Sequence, residues 1–186
     1  MEVARKLTPE EYLIQERQRD CRSEYRNGEV VAMAGASPPH NRIVANLIGE
    51  LHQQLKGKPC DVYPSDLKTR VTAMRYAYPD VIVVCGEPVF DSEASDVLTN
   101  PTVIFEVLSA STEANDRGEK FADYQQSASL QEYVLIAQDK VSVERYTRQA
   151  SGLWLYERLA QREDTLTLSS VSASLRLDEI YYRVEV

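Results

Sequence analysis

No apolar run in the chain approaches the roughly 18 residues that a membrane helix needs. The N-terminal stretch MEVARKLTPEEYL lacks the apolar core of a signal peptide. Cysteine is scarce: Cys21, Cys60 and Cys85 are odd in number and widely spaced. Neither a disulfide framework nor a zinc knuckle is therefore expected, and a reducing cytoplasm fits best. Linkers rich in Pro, Gly or Ser, internal repeats and low-complexity runs are also missing. One domain spanning residues 1–186 is the expectation, large enough for a real core. Positive charge is in deficit, with a formal net charge of −8. That argues against a protein that coats nucleic acid unselectively, since phosphate contacts come mainly from Lys and Arg. Nucleic acid itself is not excluded, because an acidic metal site adds to the negative count. With no helix-turn-helix or zinc-finger pattern, no strong sequence-reading module is expected.

What is present reads as a mixed α/β chain. Thr8-Pro9-Glu10-Glu11 has the form of a helix start, with Thr8 as N-cap, Pro9 at the first helical position and Glu11 completing a capping box. That helix should run to about Asp20. Asn27-Gly28 marks a hairpin, because the pair accepts the positive φ angles of a type I′ turn. A longer helix from about Pro39 to Leu55 carries an apolar stripe of Val44, Leu47, Ile48, Leu51 and Leu55. Strand-like segments lie near Cys60–Tyr63 and Leu67–Val71, and at Val81–Cys85 and Thr102–Leu108. The last two are continuous apolar runs, as central strands covered on both faces require. Between them Gly86–Asn100 is an acidic loop with Glu87, Asp91, Glu93 and Asp96 and no Lys or Arg. A helix from about Asp116 to Ser127 leads into strand Tyr133–Ala137. A meander through Val141–Tyr146, Trp154–Arg158 and Thr165–Leu168 follows, and the tail LDEIYYRV reads as a short helix or edge segment. This order predicts a mixed sheet with helices packed on its faces.

Glu106 breaks the pattern most clearly. It lies inside Val103-Ile104-Phe105-Glu106-Val107-Leu108, on the same face as Ile104 and Leu108. An ionised carboxylate there costs several kcal/mol unless it is paired, hydrogen-bonded or bound to metal. The alternative to a functional acid is pairing with a buried arginine. Asp80 opens the other buried strand after Tyr78-Pro79, so it should sit at the strand's mouth, where ligands gather; as a lone Pro-Asp it also reads as a turn residue. If the two strands are neighbours, the carboxylates converge on an oxygen-lined cavity suited to Mg²⁺ or Mn²⁺, with no Cys or His at ligand spacing nearby. Lys120 lies four residues after Asp116 on one helix face. It reads either as an exposed ion pair or as a cation placed over the carboxylates, able to stabilise a phosphorane-like transition state. Glu24, just before the Asn-Gly turn, is either a further acid near the metal or an exposed hairpin carboxylate. His40 is either a proton shuttle lining the cleft or a capped residue at the start of the long helix. Lys56, Lys58, Lys68, Arg70 and Arg75, interleaved with Tyr63, Tyr76 and Tyr78, lead up to Asp80. They form either a nucleic-acid track or a solvated sheet face with core tyrosines.

Taken in order, several segments resemble the Uma-two family of the restriction-endonuclease-like PD-(D/E)XK superfamily. They are Glu24-Tyr25-Arg26-Asn27-Gly28-Glu29-Val30-Val31, Pro38-Pro39-His40, Pro79-Asp80-Val81-Ile82-Val83-Val84, Phe105-Glu106-Val107-Leu108-Ser109-Ala110-Ser111-Thr112, Asp116-Arg117-Gly118-Glu119-Lys120 with Tyr124, and Glu132-Tyr133. The resemblance covers nearly the whole chain. It implies a mixed sheet flanked by helices, a Mg²⁺-dependent site and a DNA-cleaving activity. It also implies Asp80 as the motif aspartate, Glu106 as the motif acid and Lys120 as a lysine displaced onto the following helix. The plain superfamily pattern has lysine at the position of Leu108, and the family commonly has tryptophan where Val134 follows Tyr133. Superfamily habit and the strand-rich C-terminal part suggest a homodimer. The competing functions are a catalytically silent nucleic-acid-binding or interaction module that keeps the fold, and a metal-dependent hydrolase of another phosphate ester.

Overall fold

The computed structural model describes residues 5–186; residues 1–4, part of the stretch read above for a signal sequence, lie outside the described residues. The first helix, α1 (Pro9–Glu16), starts as its capping box requires: Thr8 accepts from the Glu11 backbone N–H, and the Glu11 side chain accepts from the Thr8 N–H. It stops at Glu16 rather than Asp20. The Glu16 carboxylate turns inward to accept from the backbone N–H of Ser23 and from Tyr78 Oη. Strands β1 (Ser23–Arg26) and β2 (Glu29–Ala32) form the expected hairpin, with positive φ at Asn27 and Gly28. A Cβ added at Gly28 would lie 2.7 Å from Lys6 Cβ, so glycine is required there for space as well as for φ.

After the hairpin come α2 (Pro38–Leu55), β3 (Cys60–Pro64), β4 (Lys68–Thr72), β5 (Arg75–Ala77), β6 (Val81–Cys85), β7 (Val97–Leu98) and β8 (Val103–Leu108). The helical segment expected over 116–127 is two short helices, α3 (Glu113–Arg117) and α4 (Glu119–Tyr124), broken at Gly118. A Cβ at Gly118 would stand 3.0 Å from the Ala114 carbonyl oxygen, so the chain turns there on a residue without one. Then follow β9 (Glu132–Ala137), β10 (Val143–Arg148), β11 (Trp154–Leu159), β12 (Thr165–Leu168), β13 (Ala173–Arg176) and α5 (Leu177–Ile180).

The strands build a mixed six-stranded sheet, β11-β10-β9-β8-β6-β3, a five-stranded sheet, β2-β1-β5-β4-β7, and the β12–β13 ribbon. Sequence alone missed β5, β7 and β13. Each is four residues or fewer, below the length at which periodicity is readable. One face of the six-stranded sheet packs α2 through Ile43, Leu47, Leu51 and Leu55, together with the β12–β13 ribbon and α5. The other face, carrying Ile104, Leu108, Tyr133 and Leu135, packs Tyr124 of α4 and reaches Val71 and Ala77 of the second sheet. Coverage on both sides is why β6, β8 and β9 are almost wholly apolar, Glu106 in β8 and Glu132 at the start of β9 apart.

One expectation fails and another holds in part. Cys60 and Cys85 stand directly opposite one another on β3 and β6 and are joined in a disulfide, while Cys21 is free. The pairing came from strand register, which sequence spacing does not reveal. The basic and aromatic stretch, read either as a nucleic-acid track or as a solvated face with core tyrosines, has its tyrosines in the core but part of its positive charge there too. Lys68 and Arg75 are buried, Lys68 lying 5.6 Å from the Tyr12 ring and 5.7 Å from the Tyr78 ring, and Tyr76 and Tyr78 are core residues. Arg70 pairs with Asp91, and Lys68 stands 3.7 Å from Asp96, so these cations neutralise the loop that reads as purely acidic in sequence. Burying tyrosines drew the neighbouring cations inward, where only paired charges are tolerated.

The disulfide closes a chain separation of 25 residues. Its reduction should lower stability by about 3 kcal/mol, the chain-entropy value for a loop of this size. Urea unfolding with and without a dithiol measures the loss, and the count of reactive thiols should rise from one to three as the bond opens.

Candidate active site

Strands β6 and β8 run antiparallel, with Val81 opposite Phe105 and Ile82 opposite Ile104. Continuing that register by one residue sets Asp80 beside Glu106 on the face that carries Ile104. The backbone bears this out, since the Val107 N–H donates to Asp80 Oδ2 at 2.7 Å. Strands β8 and β9 are parallel and therefore need a crossover, which α3 and α4 supply. A crossover helix lies over a sheet face, and α4 lies over the one bearing Glu106. Lys120 Nζ is 2.8 Å from Glu106 Oε1, 3.1 Å from Glu24 Oε1 and 3.6 Å from Asp116 Oδ1.

Glu24 arrives from the hairpin in the other sheet. Its side chain is mostly covered rather than hairpin-exposed, accepting from the Tyr78 N–H and lying 3.5 Å from the Arg75 guanidinium. His40 sits in the first turn of α2, its backbone N–H capped by Ser37 Oγ. Its Nε2 lies 3.2 Å from Asp80 Oδ2, while its buried Nδ1 has no hydrogen-bond partner among the described residues. The structure thus brings Asp80, Glu106, Lys120, Glu24 and His40 into one cluster. Sequence reasoning had treated Asp116 only as a helix partner of Lys120 and had given Tyr124 and Arg75 no role in the site. Asp116 is buried beside Lys120, Tyr124 Oη donates to Glu106 Oε1 at 3.1 Å, and Arg75 braces Glu24. The Lys120–Tyr124 spacing of four residues was the available signal.

Burial pushes the Glu106 carboxyl well above the usual carboxylate range, with Asp116, Asp80 and Glu24 adding to the shift and Lys120 opposing it. Burial also raises Asp116, again against Lys120. Desolvation alone would lower the Lys120 ammonium, but Glu106 and Glu24 outweigh it and hold the group charged. Burial thus drives the two acid shifts, whereas the surplus of carboxylates around one cation drives that of Lys120.

Among the described residues, no group of three or more His, Cys, Asp or Glu is spaced to hold a metal ion. The narrower pair of Asp80 and Glu106 still fits a hard divalent ion. Each carboxylate has one oxygen anchored, Oδ2 of Asp80 by the Val107 N–H and Oε1 of Glu106 by Tyr124 and Lys120. Asp80 Oδ1 and Glu106 Oε2 take no protein hydrogen bond among the described residues. Mg²⁺ is characteristically held by one or two carboxylates and keeps several waters.

The chain superposes on the crystal structure of a "putative nuclease belonging to DUF820" from Anabaena variabilis with a TM-score of 0.77, covering 94% of this chain and 97% of that one at 15% identity. A likeness at that identity speaks for the fold alone. The Uma2 family model, described as "Putative restriction endonuclease", matches residues 9–178, and the chain belongs to that family. Two uncharacterized proteins of Synechocystis are similar along most of their length. One is 39% identical over 178 residues (95% of this chain, 92% of the relative) and the other 38% identical over 154 residues (82% and 87%).

Replacing Lys120 by methionine leaves the Glu106, Asp116 and Glu24 carboxylates without their shared cation. In metal-free buffer this should destabilise the protein by about 3–5 kcal/mol. Adding Glu106→Gln to Lys120→Met should recover part of the loss, because it removes the buried carboxylate nearest to the lost ammonium. Urea unfolding of the two single variants and the double variant checks the coupling.

Proposed function

We propose that this protein is a Mg²⁺- or Mn²⁺-dependent endonuclease that hydrolyses phosphodiester bonds in DNA. The observation that carries the reading is the facing pair Asp80 and Glu106 on neighbouring strands, with the Lys120 ammonium 2.8 Å from Glu106. The family description supports the reaction class, since a restriction endonuclease is by definition a DNA-cleaving enzyme.

In this reading Asp80 and Glu106 hold the divalent ion through the oxygens that carry no protein hydrogen bond. When bound, the ion supplies positive charge to the scissile phosphate and acidifies water. The protein's own part is preorganisation. The Val107 N–H and His40 fix the Asp80 carboxylate, and Tyr124 fixes that of Glu106, so neither has to reorient as substrate binds. Glu24 and Asp116 hold Lys120 in place, and its ammonium offsets the negative charge that builds on the phosphate as the bond to the leaving oxygen stretches. With a net charge of −8, affinity for DNA depends on this local arrangement rather than on overall attraction.

The competing reading, a silent nucleic-acid-binding module, draws on Leu108, which packs in the core where the plain superfamily pattern has lysine. Plasmid and linear duplex cleavage in Mg²⁺ or Mn²⁺ separates the two. Wild type should cut, and Asp80→Asn and Glu106→Gln should each lose about 10²–10³ in rate, the scale of a lost electrostatic contact. Calorimetric titration with Mn²⁺ should register binding in wild type and none in Glu106→Gln. Binding of Mn²⁺ without cleavage of any DNA form would point to another phosphate ester, and absence of both would leave the silent module.

A further inference from the structure

Asp80 stands at the entry to β6, so what holds its carboxylate comes partly from outside the sheet. One such group is His40, whose Nε2 lies 3.2 Å from Asp80 Oδ2. His40 is carried by the first turn of α2, and little else fixes that turn. The buried residues of α2 begin only at Ile43. Before the helix, Ala34, Gly35 and Ala36 are exposed, and the last backbone–backbone hydrogen bond runs from the Met33 N–H to Arg22 O at 2.9 Å. Pro38 and Pro39 have no N–H, so His40 carries the first backbone donor of the helix.

Ser37 meets that donor. As N-cap, its Oγ accepts from the His40 N–H at 3.2 Å. A hydroxyl that accepts in this way still has its proton to give, and Ser37 Oγ donates to Gln138 Oε1. Gln138 directly follows β9, in a turn braced from behind by the fully buried Tyr181. Tyr181 Oη accepts from the Ser142 N–H at 3.1 Å and donates to the Ala137 carbonyl at 2.9 Å. The Ala137 N–H in turn donates to Ser142 O at 3.0 Å. Ser37 thus ties the start of α2 to a firmly held end of the sheet.

The strand order makes that tie bear on Asp80. Leu108 of β8 pairs with Ala137 of β9, and β6 follows on the far side of β8. Two strand spacings, about 10 Å, separate β9 from β6. The first turn of α2 bridges them, with Ser37 bonded at the β9 end and His40 at the β6 end. We propose that Ser37 and Gln138 are positioning residues for Asp80, acting through His40. The hydrogen bond between them sets where the imidazole stands, and the imidazole, with the Val107 N–H, sets the carboxylate. The inference rests on the reading of Asp80 as a metal-holding acid.

Gln138→Met keeps the side-chain length, leaves the Ser37 cap in place and removes the acceptor. Calorimetric titration with Mn²⁺ on wild type, Gln138→Met, His40→Ala and the double variant reads the coupling. Gln138→Met should weaken Mn²⁺ binding about three- to tenfold, less than the roughly 10–100-fold cost of losing an outer-shell partner directly. In the His40→Ala background it should add nothing, whereas a contribution to stability alone would be the same in both. Proton–nitrogen NMR of the metal-free protein gives a separate readout. The Nε2 proton of His40 should be resolved in wild type and lost to exchange with water in Gln138→Met. Ser37→Gly, which removes the hydroxyl with a residue tolerated at an N-cap, should lose the same signal. The proposal is overturned by a Gln138→Met protein that binds Mn²⁺ as wild type does, by an effect undiminished without His40, or by a His40 proton that survives in both variants. Wild type that binds no Mn²⁺ defeats the metal reading instead, and the proton signal then decides alone whether Ser37 and Gln138 hold His40 on Asp80.

Discussion

One ammonium group joins three parts of the molecule at a single buried point. Lys120 belongs to the β8–β9 crossover, Glu106 to the centre of the six-stranded sheet, and Glu24 to the hairpin of the five-stranded sheet. All three side chains are largely removed from water, so none can be satisfied by solvent if the others move away. A buried cation among several acids is a poor source of net stability, because desolvation consumes most of the attraction. It is a strong constraint on arrangement, since the penalty for separating the partners is large. The two sheets and the crossover are thereby fixed relative to one another at the place where the protein's unusual charges collect.

That constraint also explains the supporting cast. Tyr124 lies beside the cluster as a hydrogen-bond donor to Glu106, and the Arg75 guanidinium stands 3.5 Å from Glu24 as its ion-pair partner. Farther out, the stacked rings of Tyr12 and Tyr25, 5.2 Å apart, and Tyr76 behind them anchor α1 on the five-stranded sheet. Glu16 and Lys68 line the same region, close to Tyr78, two residues before Asp80. Most buried charges of this fold are arranged in chains of partners rather than singly, though His40 Nδ1 and Arg75 Nε are buried without one.

Much of this was legible beforehand, for identifiable reasons. An acid inside an oily strand is costly enough to stand out, so Glu106 announced itself, and the Pro-Asp entry to β6 pointed to Asp80. The capping box and the Asn-Gly turn are local signals and they fixed α1 and the hairpin to within a few residues. The pairing of Cys60 with Cys85 was not legible, because it depends on which strands become neighbours, a property of topology rather than of spacing. The basic stretch misled for the opposite reason: composition was read as surface, whereas Lys68 and Arg75 are interior partners of distant acids. Glu24 was left open between two environments, and only the docking of one sheet on the other decides between them.

The placement of the ammonium on the crossover, rather than on the strand that carries Glu106, has a consequence for how such proteins can change. With Leu108 filling the core on that strand, the acid and the cation are encoded on separate pieces of backbone, β8 and α4, with α3 between them. Each piece can drift in sequence while the other stays put, but the number of residues between Glu106 and Lys120 cannot. A single insertion within α4 ahead of Lys120 would rotate that residue by about 100° and carry the positive charge off its target, so length is more tightly held there than residue identity.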